Sequence, residues 1–224
     1  MKKIRVALLT LAIVMVTSAY AVADTLDTAP PRIVSSGDYD YLINGRTAAI
    51  AKYNGDDAVI TVPSEINEYQ VTEIRAEAFS YHKIKSISIP GSIRSIGKRA
   101  FEYCEISDTL QLPVNITISA DAFSYARLPS VVTIPTGATV EACAFSYCEA
   151  MEQVCIEPDA VLKSRAFSYC DDLKQAVCAE GSRLETNAFE YCKRMQQAIL
   201  RGDVTADEDA FYRCGNVELI LRRQ

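Results

Sequence analysis

All seven Phe of this chain stand in Ala-Phe pairs, and successive pairs are 22 residues apart without exception, from Ala78-Phe79 through Ala100-Phe101, Ala122-Phe123, Ala144-Phe145, Ala166-Phe167 and Ala188-Phe189 to Ala210-Phe211. A fixed period of this length marks a stack of like units, because one such unit is too short to bury an apolar face alone. Other columns keep step. Five residues before each Phe stand Ile74, Ile96, Ile118, Val140, Leu162, Leu184 and Ala206. Two residues after it come Tyr81, Tyr103, Tyr125, Tyr147, Tyr169 and Tyr191, with Arg213 closing the series, and three after it His82, Cys104, Ala126, Cys148, Cys170, Cys192 and Cys214.

Some ten residues beyond each Phe lies a short alternating run, such as Ile87-Ser88-Ile89-Pro90, Val132-Thr133-Ile134-Pro135 or Ala198-Ile199-Leu200. Ile60-Thr61-Val62-Pro63 is an earlier copy. A period of two predicts a strand, and the Pro ends it where a missing N–H matters least. Stacked coils then give one continuous parallel sheet, eight strands deep and about 35 Å long. The Phe rings are expected to stack as a ladder inside the opposite wall. The Ala-Phe segment itself is expected to be a single helical or 3₁₀ turn.

The string IPGSIRSIGKRAFEYC at 89–104 resembles the repeat of the BspA-like bacterial surface-antigen leucine-rich-repeat proteins, whose unit runs L-x-x-I-x-I-P and then V-x-x-I-G-x-x-A-F-x-x-C. The resemblance extends from about Val59 to the C-terminus. It implies a right-handed α/β leucine-rich-repeat solenoid: a short parallel sheet on one face, helical or 3₁₀ turns on the other, and an N-terminal β-hairpin cap. Gly97 matches the family's Gly after the Ile, whereas Arg75, Ser119, Glu141, Lys163, Glu185 and Asp207 stand in its place, which puts the turn geometry of those coils in question.

Three segments follow. Residues 1–23 read as a secretory signal peptide: Lys2, Lys3 and Arg5, an apolar run from Val6 to Val16, then Ala21-Val22-Ala23 as a cleavage site before Asp24. Residues 24–58 hold a linker at Thr28-Ala29-Pro30-Pro31 and a hairpin, Tyr39–Ile43 and Arg46–Tyr53 around Asn44-Gly45, placed to cover the first coil's edge. Residues 59–224 are the solenoid, with no equally clear cap at its far end. Loss of the three leader cations takes the net charge from −6 to −9. That surface repels phosphate backbones, so nucleic acid is an unsuitable partner.

Little in the chain suggests catalysis. There is one His, His82, and any acid-base or nucleophilic arrangement using imidazole would have to be built around it. It is read as a rim or core residue of an atypical first repeat. Asp and Glu are plentiful, so a hydrolase with an acidic pair stays open on composition alone. The Cys column is read as a file of small buried hydrophobes, with disulfides between neighbouring coils as the alternative. Parallel thiols do not surround a metal, and no metal or cofactor is expected. Cys143 and Cys155 fall in mostly polar columns and are expected on opposite faces.

The binding candidates are two rows. One is a strip on the outer, concave side of the sheet, where Cys155, Val177, Ile199 and Ile220 succeed the polar Thr61, Ser88, Gln111 and Thr133, with Gln153, Gln175 and Gln197 alongside. A register flip in the last coils would instead bury this row and expose Ala176 and Ala198. The other is the Tyr ladder, Tyr81, Tyr103, Tyr125, Tyr147, Tyr169 and Tyr191, read either as coil support or as an aromatic contact strip.

Taken with the resemblance, these features predict a secreted, periplasmic or surface-exposed scaffold that binds a host or envelope protein without catalysis. The alternatives are a docking module within an envelope assembly and the hydrolase above. The open last coil adds an expectation of end-to-end self-association.

Overall fold

The structure, a computed structural model, describes residues 30–222. The leader, its cleavage before Asp24 and the first part of the linker lie outside the described residues.

Three antiparallel strands come first: β1 (Arg32–Ser36), β2 (Tyr39–Asn44) and β3 (Thr47–Tyr53). The hairpin is therefore one strand larger than expected. Asn44 and Thr47 face each other across its tight turn, where Gly45 takes φ +57°. β3 then pairs in parallel with Tyr69–Ile74, joining cap to solenoid in one ladder. Tyr53 on β3 lays its ring on Phe79 at 5.2 Å, so the cap closes the apolar stack as well as the sheet.

The coils follow, with equivalent residues paired in register, 22 apart in most coils and 21 apart in the last strand pair. Two walls are β-ladders. In one, the column five before Phe forms two-residue strands: Ser95–Ile96, Thr117–Ile118, Thr139–Val140, Val161–Leu162, Arg183–Leu184 and Thr205–Ala206, continuing the cap sheet. This ladder was not expected as sheet, since two residues show no alternation. In the other wall, the expected single sheet is split. Val59–Thr61, Lys83–Ser88 and Glu105–Gln111 form a three-stranded part. Val131–Ile134, Gln153–Ile156, Gln175–Cys178, Gln197–Arg201 and Glu218–Arg222 form a five-stranded part. Between the parts only the bridge Glu105–Arg127 continues the pairing. The break falls beside Pro129, which has no N–H to give to the preceding strand.

The Phe wall corrects the expectation of helical or 3₁₀ turns, and with it the α/β superhelix: no helix occurs among the described residues. Each segment is a pair of tight turns with left-handed residues at two places. The position two before Phe, at Glu77, Arg99, Asp121, Cys143, Arg165 and Asn187, has φ between 57° and 61°. The Tyr column, Tyr81 through Tyr191, has φ between 55° and 64°. These reversals turn the N–H groups of Phe and Tyr along the stack. Phe101 donates to the Ala122 carbonyl at 2.7 Å and Tyr103 to that of Ser124 at 3.1 Å, where a helix would have sent both bonds back along the chain. Left-handed geometry costs a non-Gly residue roughly 1–2 kcal/mol, and the intercoil bonds and ring stacking offset it.

Gly97 rests on the coil before it so closely that a Cβ would stand 2.6 Å from the Ala76 nitrogen. The coils lacking Gly keep the same bond: Ser119 donates to Ile96 at 2.9 Å, as Gly97 does to Ile74 at 2.7 Å. The departures from the repeat thus leave the wall intact.

The core is a continuous file. Phe79 to Phe189 are buried, with centroids 4.7–5.5 Å apart and nearly parallel planes. Beside them Cys104, Cys148, Cys170, Cys192 and Cys214 each donate Sγ–H to the Phe carbonyl one coil back, at 2.8–3.2 Å. All eight cysteines are free. A small apolar side chain with a weak donor suits this column, and Ala126 shows that the donor is dispensable.

Candidate functional site

The sheet-face strip rests on the five-stranded ladder. Cys155, Val177, Ile199 and Ile220 stand opposite one another in register and are half-buried. Val154, Ala176 and Ala198, the residues before them, are fully buried, so the ladder has no register flip through Ala198. The physical reason is period: one residue of slip would have turned Ile156, Cys178 and Leu200 outward too. Gln153, Gln175 and Gln197 flank the strip as a ladder of their own. Gln175 Nε2 donates to Gln197 Oε1 at 2.9 Å, and Gln197 Nε2 to Glu218 Oε2 at 3.3 Å. Gln153 Nε2 donates instead to Cys155 Sγ at 3.5 Å, and the three amides fix a polar rim beside an apolar row about 14 Å long. Cys155, the only thiol in the row, has its pKa raised by burial, an effect the Gln153 hydrogen bond partly counters, and is a packing surface before it is a nucleophile.

The Tyr ladder is a stack with centroids 4.6–5.1 Å apart. Interior rings cover one another's faces and present edges and hydroxyls outward. Arg213 closes one end, 5.3 Å over the Tyr191 ring and hydrogen-bonded to its hydroxyl. At the other end Tyr81 is 70% exposed.

His82 sits under the cap, 5.2 Å from the Tyr53 ring, with Nδ1 3.1 Å from the Ser80 carbonyl oxygen. It joins cap to first coil and is not gathered with a nucleophile. Cys143 and Cys155 do fall on different walls, one on the turn wall and one on the sheet.

One feature of the turn wall was missed. The residue after each Phe is Ser80, Glu102, Ser124, Ser146, Ser168, Glu190 and Tyr212. A polar residue in a turn reads as solvated, yet Ser124, Ser146, Ser168 and Glu190 are buried. With Tyr125, Tyr147 and Tyr169 on one side and Asp121, Cys143 and Arg165 on the other, they line a groove of about 420 Å³ along the stack. Recurrence of Ser in four of seven repeats was the available signal.

The profile of the BspA type leucine rich repeat region matches residues 72–196 in six copies. The chain belongs to the BspA-type leucine-rich-repeat family. Members of this family and fold are typically non-catalytic repeat scaffolds. Similar solved structures include a leucine-rich-repeat protein of T. pallidum, at 18% identity over 86% of each chain with a TM-score of 0.49. A leucine-rich cell surface protein from Faecalibacterium prausnitzii has 16% identity over 88% of this chain and 96% of that one, with a TM-score of 0.30. The pneumococcal vaccine antigen PcpA has 11% identity over 86% and 88%, with a TM-score of 0.44. None of the curated proteins matches the sequence. In this BspA-type chain the match spans the coils from Thr72 to Gln196, which carry the Tyr ladder, the groove and half of the strip.

Proposed function

We propose that this BspA-type repeat protein is a non-catalytic scaffold that works outside the cytoplasm and binds a host or envelope protein through the strip of Cys155, Val177, Ile199 and Ile220. One observation carries the reading: an in-register apolar row on a rigid sheet, bordered by glutamines of which Gln175 and Gln197 are already bonded to each other. Such a row costs solvation when bare and little entropy when covered, because the ladder already orders it. Location outside the cytoplasm is supported by the basic, apolar and small-residue order of residues 1–23.

Val177→Asp with Ile199→Asp puts two charges in the centre of the row without touching the core. Partners retained by the wild type from envelope extract and solubilised host matrix are expected to be lost from this variant, by about tenfold or more in affinity. Equal retention by both proteins would end the proposal.

A second reading concerns self-association. Leu219 and Leu221, whose counterparts Ala198 and Leu200 are buried, are 56% and 75% exposed, and Phe211 is only half-buried. Among the described residues nothing lies over this coil. Because the other end carries its own cap, the arrangement that covers the open coil is tail to tail with a second copy. Sedimentation across a wide concentration range is expected to show a dimer that Leu219→Asp with Leu221→Asp dissolves. A wild type that stays monomeric throughout would refute it.

A further inference from the structure

The buried serines of the turn wall form a directed chain that stops short. Ser124 donates to the Cys143 carbonyl at 3.1 Å, which uses its only proton. The 3.0 Å contact between Ser124 and Ser146 must then run from the Ser146 hydroxyl to Ser124. The next hydroxyl, that of Ser168, has no partner among the described residues, although the residue is only 2% exposed and lines the groove. Its oxygen opens on the groove, so its hydrogen-bonding capacity is left for whatever enters there.

The rest of the lining narrows the chemistry. Two guanidinium groups face three carboxylates, and every one of these charges is paired: Arg99 with Glu102 at 3.6 Å, Arg165 with Glu190 at 2.9 Å, and Asp121 with Lys98 beside the groove at 3.7 Å. An anionic or a cationic ligand would find each charge already paired with its opposite. An apolar one would leave Ser168 unmet and cover the carboxylates. What remains is a neutral ligand that both donates and accepts hydrogen bonds at many points. The interior Tyr faces are occupied by one another, so recognition falls to hydroxyls, carboxylates and edges rather than to ring stacking.

We propose that the groove between the Tyr ladder and the Asp121–Cys143–Arg165 column is a binding site for a neutral oligosaccharide, laid along the stack axis, with Ser168 and Asp121 among its hydrogen-bonding residues. Polar groups repeat here once per coil from Arg99 to Glu190, which suits a chain of sugar units better than a single ring. The site lies on a different wall from the apolar strip and does not depend on it.

Saturation-transfer NMR with cellotetraose, mannotetraose and chitotetraose tests the site directly. At least one is expected to receive saturation from the wild type. Ser168→Ala, which removes only the unmet hydroxyl, is expected to weaken that binding about tenfold. Asp121→Asn is expected to weaken it independently, while Val177→Asp with Ile199→Asp leaves it unchanged. Absence of transfer from all three sugars overturns the proposal. So does transfer that survives both groove variants at full strength in protein whose circular dichroism matches the wild type.

Discussion

Phe145→Ala is expected to cost about 4 kcal/mol of stability, and Phe211→Ala, the same change in the same column, about 1 kcal/mol. The Phe145 ring is fully buried between Phe123 at 4.7 Å and Phe167 at 4.9 Å. Its loss removes two aromatic contacts and opens a void between two hydrogen-bonded walls that cannot close without breaking ladder bonds. Phe211 has one ring neighbour, Phe189 at 5.3 Å, and is half-buried at the open coil. A stack of nearest-neighbour contacts adds a second consequence. Weakening the middle should uncouple the two ends, so urea unfolding of Phe145→Ala is expected to separate into two transitions, whereas Phe211→Ala keeps one. Equal losses at the two positions would show that the array does not behave one-dimensionally.

The relation between position 22 residues apart and contact in space was legible because seven Phe, six Tyr and five Cys repeat it, and stacked parallel coils are the arrangement that brings all three columns together. The strip on the sheet was legible for a similar reason. Alternation in Val154-Cys155-Ile156 and Ala176-Val177-Cys178 assigns inside and outside wherever one face is buried. Other features left no signal of that kind. Two-residue strands such as Thr139–Val140 are too short to alternate. The left-handed turns fall on Tyr, Arg, Asp and Cys as well as Asn, because intercoil bonds impose them where residue preference would not. The groove is invisible in any one repeat: Ser168 gains its burial from the coils on either side. Sequence order shows columns, and the depth of a column comes only from how its neighbours close over it.

Alkali offers the second large effect, and it acts through the buried thiols. Burial pushes Cys104 and Cys178 up to about 12 and raises Cys170 and Cys192 well above the usual range. In the unfolded chain these thiols ionise near ~8.5. Below that value both states hold the protons and the stabilisation is complete. Above it the unfolded chain releases protons that the folded chain keeps, so stability falls as pH rises, by about 1.4 kcal/mol per pH unit for each thiol. These four alone bring the loss to about 5 kcal/mol per unit, and Cys214, raised by its contact with Cys192 and by burial, adds to it, enough to unfold a domain of ordinary stability within roughly one to three units above pH 9. Burial raises Tyr39, Tyr41 and Tyr53 as well, so the slope is best read between about pH 9 and 10, before unfolded Tyr ionises. Urea midpoints measured under reductant across that window are expected to fall steeply. Cys170→Ala with Cys192→Ala, which copies the Ala126 already present in the same column, is expected to be weaker at pH 7 by about 2 kcal/mol and to lose stability markedly more slowly with alkali, since it also removes the Cys192 sulfur that raises Cys214. An unchanged slope in that variant would mean that water already reaches the thiol file, and with it the Phe stack.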